Sequence, residues 1–248
     1  MTHEDFKYLS SLPIVLHLPS LHTLMVHAGI LPIDPTRDIY NRHQPLARLP
    51  KKPVLLRDLS NTEEVRNAQE LSLLKKIPGN TDPFIKLNMR DVHDGVPMRR
   101  GPDDHDDVTP WSEMWNDVIK RCGGFNVSDD VQQVEGVHFQ SSFQDDELRK
   151  KKKDPLPCHP ITVVYSHAST RGLDLKKWSK GLDTGCVDGK GLTAMILGKG
   201  RHVKNSKNKK PPIEDPDPHD HNRDVEVRFG EDRHARLVSV YCPMGKEE

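Results

Sequence analysis

No stretch of this chain is apolar for long enough to cross a membrane as a helix. The most apolar window, LPIVLHLPSLHTLMVHAGILP, is interrupted by prolines, a serine and three histidines, which excludes a spanning helix there. Net charge is also missing. The 37 basic and 37 acidic side chains cancel, so the overall balance points neither to nucleic acid nor to an anionic membrane surface. Cysteine is sparse: Cys122, Cys158, Cys186 and Cys242 are widely spaced and form no C-x-x-C pair. That excludes zinc-finger spacing and leads to the expectation of reduced thiols in or near the core. The opening MTHEDFKYLS has no basic region followed by an apolar run, so no secretory signal is expected in it and the first reading of compartment is cytoplasmic. A glycine-rich phosphate loop and a nucleophile elbow are absent too, which removes the P-loop and serine-hydrolase chemistries.

What remains is long enough, at 248 residues, to bury a real core in one large domain or two small ones. Apolar residues make up 34%, charged residues 30%, and prolines number 20, a mix that suits an α/β or α+β protein with long polar loops. EDFKYLSS reads as a short helix with Phe6, Leu9 and nearby Leu12 on one side. PIVLHL and HTLMVH read as two strands separated by the turn-like PSL. NTEEVRNAQELSLLKK carries glutamates in its first turn and lysines in its last, the charge order that favours a helix, and PGNTDP should end it. TPWSEMWNDVIKRC is a second helix whose Trp111, Trp115, Val118 and Ile119 recur at helical spacing and should face the core. ITVVYSH is a continuous β-branched run, as in a strand buried on both faces. GLTAMILG and ARLVSVYC read as two closing strands. The segment between them is rich in Lys, Pro and Asp, and residues 199–225 are expected to form a disordered insertion within a single domain spanning 1–248.

Two apolar strands end on the same pair of residues. LMVHAGILP places His27, and VVYSHAST places His167, each followed by alanine. A histidine at the carboxyl end of a buried strand is well placed as a ligand, because the strand fixes the backbone and the small neighbour leaves room for an ion. Other clusters carry less. PHDHNRD, with His219 and His221, could meet a transition metal but reads as a solvated tract. The run Lys150 to Lys153 could attract a polyanion but reads as a solvated loop.

YSHASTRGLDLKKWSKGLDTGCVDGKGLTAMIL resembles the C-terminal signature of the calcineurin-like metallophosphoesterases, and within them the ApaH-like branch related to symmetrical diadenosine-tetraphosphate hydrolases, including fungal members. VHAGILP resembles the family's earlier His-Ala-Gly motif, NMRDVHDG its Met-Arg segment and TPWSEMWND a tryptophan-bearing segment beyond that. The likeness spans about residues 5 to 198. It implies an α/β fold with a two-sheet core flanked by helices, incomplete at its N-terminal half and carrying long polar insertions. It implies a hydrolase with two divalent metals (Mn, Zn, Fe or Co) that acts on a dinucleoside polyphosphate, polyphosphate or phosphoprotein. By motif, His27 and His167 would ligate one metal, Arg90 would hold phosphate oxygens through its planar fork, and Asp183 would order the LDTGCV turn beneath the site. Asp188, where relatives carry a bulkier residue, reads as solvent-facing.

The departures weigh as much as the matches. The family's Gly-Asp-x-His, Gly-Asp-x-x-Asp-Arg-Gly and Gly-Asn-His-Asp/Glu motifs are absent, and 26 residues upstream of His27 are too few to hold them. THED at positions 2 to 5 lacks the Gly-Asn pair and runs straight into the first helix. No catalytic residue is therefore assigned, and the metals should be incompletely bound by this chain alone. The competing reading is an inactive, truncated homologue that acts at most as a binding module. On the full reading the partner is a phosphorylated substrate, and a vacuolar location would follow from a targeting segment preceding these residues.

Overall fold

A computed structural model describes residues 1–50, 62–99, 108–125, 155–198 and 223–243. Strands β1 (Val15–Leu18) and β2 (Thr23–Val26) follow helix α1 (His3–Ser11) and are joined by a short 3₁₀ turn. Helices α2 (Thr62–Lys76), α3 (Pro78–Thr81) and α4 (Pro83–Asn88) lead into the small antiparallel sheet of β3 (Asp91–His93), β4 (Val96–Met98) and β5 (Val108–Pro110). Helix α5 (Trp111–Ile119) precedes β6 (Thr162–Tyr165), β7 (Asp174–Leu175) and β8 (Ser179–Gly181). Strands β9 (Gly191–Ile196), β10 (Arg223–Phe229) and β11 (Arg233–Tyr241) close the chain.

Two sheets carry the architecture. The first has the order β1-β2-β6-β8-β7, with β2, β6 and β8 parallel and β1 and β7 antiparallel at the edges. The second is antiparallel in the order β10-β11-β9. Strand alternation explains how the first sheet buries both faces. Leu24, Val26, Val163 and Tyr165 point to one side, where they meet Leu73 and Ile77 from α2 and its end and Trp111, Trp115 and Ile119 from α5. Val164 points to the other side, onto Val227, Phe229, Ala235 and Leu237 of the second sheet, with half-buried Met25 packed alongside. The result is a layered α/β fold: helices, a mixed five-stranded sheet, then a three-stranded sheet.

Most elements fall where the sequence places them, and the differences have local causes. Helix α1 is closed by a capping box between Thr2 and Asp5, yet it buries no residue, and Phe6, Leu9 and Leu12 are all exposed. PGNTDP does not abolish helix. Pro78 and Pro83 each occupy the first helical turn, where the missing N–H costs nothing, and Asp82 caps α4 through the Phe84 N–H at 2.8 Å. Of the expected insertion, residues 199–222 lie outside the described residues, while residues 223–225 open strand β10. The lysine run 150–153 and the His219/His221 cluster also lie outside them.

The cysteines overturn the expectation of reduced thiols. Cys122 is bonded to Cys158 and Cys186 to Cys242. The first bond joins the end of α5 to the segment leading into β6, where Cys122 and Leu156 already form a bridge. The second ties the LDTGCV turn to the end of β11. Wide sequence spacing gave no hint of either pair, because both are made by non-local strand contacts.

Candidate metal centre

The register of β2 against β6 brings the two His-Ala strand ends together. Thr23, Leu24 and Met25 pair in parallel with Thr162, Val163 and Val164, and the same offset sets His27 opposite Ser166. The backbone confirms the extension, with the Ser166 N–H donating to the His27 carbonyl at 2.9 Å. His167 is therefore one residue out of register, and a continued extended chain would send its ring to the opposite face from His27. The chain instead enters the left-handed region at His167, φ 64°. The rings then meet, with His27 Nε2 and His167 Nδ1 3.1 Å apart and ring centroids separated by 4.8 Å.

The Ala-Gly that follows His27 has its own physical reason. Ala28 is buried and its N–H donates to the Lys86 carbonyl at the end of α4 at 2.8 Å. A Cβ on Gly29 would stand 2.7 Å from Met89 Cε and 3.0 Å from Trp111 Nε1, so glycine leaves room for the methionine end and the tryptophan ring to pack close beneath the strand end.

His27 is exposed at the rim of the sheet, whereas the His167 Nε2 is buried without a hydrogen-bond partner. Burial, then the Arg90 cation and the His27 ring, hold the His167 imidazole below its usual pKa against the opposing pull of Asp183. A neutral imidazole is the metal-binding form. Arg90 donates from Nε to the His167 carbonyl at 2.7 Å, so only its two terminal nitrogens could meet phosphoryl oxygens. Asp183 accepts from the Gly185 N–H at 3.2 Å and orders the LDTGCV turn, in which Gly185 is left-handed with φ 71°. Asp188 is exposed.

The pair fits a divalent ion as far as two ligands can. Two nitrogens about 2.0–2.1 Å from zinc and 3.1 Å from each other subtend roughly 100° at the ion, between octahedral and tetrahedral angles. Among the described residues no group of three or more His, Cys, Asp or Glu is placed to hold a metal, so His27 and His167 could fill only part of a coordination shell. Sequence reasoning missed Arg171 and Asp91. Arg171 Nη1 donates to the Arg90 carbonyl at 3.0 Å and Nη2 bonds the Asp91 carboxylate. The available signal was a lone cation four residues after His167, inside the same motif.

No family model matches the chain, and no curated protein matches it. Among solved structures it is similar to a crystal structure of a protein provisionally named a diadenosine tetraphosphatase, at 17% identity and a TM-score of 0.35. The match covers 78% of this chain and 50% of that one, so the chain spans half the length of that protein. A likeness at this level assigns neither site nor activity.

Proposed function

We propose that this chain carries part of the centre of a metal-dependent phosphoesterase, with His27 Nε2 and His167 Nδ1 as two ligands of one divalent ion. The observation that supports it is the convergence of those nitrogens at 3.1 Å, on the carboxyl ends of two parallel strands and within motifs that resemble the calcineurin-like family. A bound ion would act as a Lewis acid toward a phosphoryl group and as a source of hydroxide near neutral pH. The chain's own residues do three things. The two imidazole nitrogens, with His167 held toward its neutral form, stand close enough for one ion to replace the proton between them. Arg90 places a permanent cation beside them. Met89 and Trp111 pack under Gly29, and the Ala28 N–H anchors the strand end to the Lys86 carbonyl. The substrate on this reading is a phosphoanhydride or phosphoester such as a dinucleoside polyphosphate, polyphosphate or phosphoprotein.

A second reading, a catalytically silent binding module, is favoured by one observation: no third metal ligand stands beside the pair among the described residues. Titration with manganese or zinc, followed by assay on an aryl phosphate, separates the two. The enzyme reading expects metal-dependent turnover that disappears in His27→Ala and His167→Ala. Tight metal binding without turnover supports the binding module, and no binding at all removes both metal roles. No helix among the described residues is long and apolar enough to cross a membrane. The two disulfides favour an oxidising compartment reached through the secretory route over the cytoplasm, and cysteine state in protein isolated from its source organism tests this.

A further inference from the structure

His167 holds a left-handed conformation that is uncommon for a non-glycine residue, and the contacts made by its backbone can be named. Its carbonyl accepts from Arg90 Nε at 2.7 Å. The Arg90 carbonyl in turn accepts from Arg171 Nη1 at 3.0 Å, and Arg171 Nη2 is paired with Asp91. Arg171 itself closes the turn that follows His167, its N–H donating to the Ala168 carbonyl at 2.8 Å. One side chain thus reaches from the loop after β6 back to the first residue of β3, and the loop is stapled at both ends. The pair is sheltered, with the Arg171 side chain 24% exposed and Asp91 12%.

We infer that Arg171, braced by Asp91, is the positioning residue that holds the His167 ring against His27 in metal-binding geometry. The inference rests on the metal reading proposed above. Arg171 is not paired with either imidazole. It acts through the Arg90 backbone, and its planar fork meets a carbonyl and a carboxylate from two separate nitrogens, a fixed geometry that a lysine's single nitrogen does not reproduce. Partners of this kind, one step removed from the ligands, set ring orientation and therefore affinity.

The test compares wild type with Arg171→Met, Arg171→Lys, Asp91→Asn and the ligand control His27→Ala. Zinc affinity is measured by competition with a chromophoric chelator, and the visible spectrum of the cobalt(II) form reports ligand geometry. Affinity should fall about 10- to 100-fold in Arg171→Met and Asp91→Asn, with an altered cobalt spectrum and little rescue by Arg171→Lys. The double variant Asp91→Asn/Arg171→Met should be no weaker than either single, since the two act as one unit. Wild-type affinity and spectrum in Arg171→Met and Arg171→Lys, beside loss in His27→Ala, would overturn the inference while leaving the metal reading intact. Should wild type bind no zinc, the metal reading fails and positioning is judged in the metal-free protein. There the ring ¹⁵N signals of His27 and His167 should report a shared proton that Arg171→Lys disrupts, and an undisturbed pair overturns it.

Discussion

Lys180 is almost wholly buried, with Nζ donating to the Lys176 carbonyl. Burial lowers its pKa to about 8 despite the attraction of Asp174. The sign of its effect on stability follows from linkage. Below pH 8 it is protonated both folded and unfolded, and the burial penalty is present in full. From pH 8 toward 10.5 the unfolded chain holds more protons, so this residue makes stability rise with pH. Tyr165, whose phenol is pushed far up by burial and then by Asp174, opposes that trend above pH 10, where unfolded tyrosine ionises. Lys180→Met should therefore be more stable than wild type near pH 7, by an amount on the order of 3 kcal/mol, and the gap should narrow between pH 8 and 10. Urea unfolding of both proteins across that range checks the sign. At the same scale, Gly29→Ala forces Met89 or Trp111 to move and should cost about 1–3 kcal/mol. Thermal unfolding would show it.

One buried carboxylate helps to fasten helix α2, beside Gln69, whose Nε2 donates to the Pro157 carbonyl at 3.1 Å. Glu70 is fully buried, and its two oxygens meet His17 Nε2 at 2.5 Å and His22 Nδ1 at 2.9 Å. The helix is thereby clamped to β1 and to the turn before β2. Glu70→Ala leaves two imidazoles without their acceptor and should lower stability by about 2–4 kcal/mol, since a hydrogen bond to a charged group contributes about 1.5–3 kcal/mol. Glu70→Gln, which keeps one acceptor oxygen, should cost less, and denaturant midpoints measure the difference. The charge order of α2 and the tryptophan spacing of α5 were legible in the sequence because both are local patterns. The clamp was not, since Glu70 lies 53 and 48 residues along the chain from His17 and His22. Strands β3–β5, β7 and β8 escaped notice for a different reason. At two or three residues each, they are too short to show a period, and only their partners define them.

The disulfides act on the molecule as a whole. Each closes a long loop, with sequence separations of 36 and 56, and restricts the unfolded chain by about 4 kcal/mol on the chain-entropy account. Reduction should therefore lower the melting temperature by many degrees. The check is a thermal scan with and without reductant, alongside intact mass after alkylation. An unchanged scan with four alkylated thiols before reduction would restore the expectation of free cysteines.

By itself the sequence determined what local physics determines: a strand buried on both faces at ITVVYSH, an amphipathic α5, the charge order of α2 and the termination of two apolar strands on histidine. A resemblance carried by ordered motifs added the expectation that His27 and His167 belong together. Only the tertiary structure decided how they meet. A parallel register one residue out of step, a left-handed turn at His167 and a fork from Arg171 set the 3.1 Å approach. The same holds for the cysteine pairs and for the Glu70 clamp. Each depends on which distant segments lie side by side, and side-chain patterns within any one segment carry no record of that.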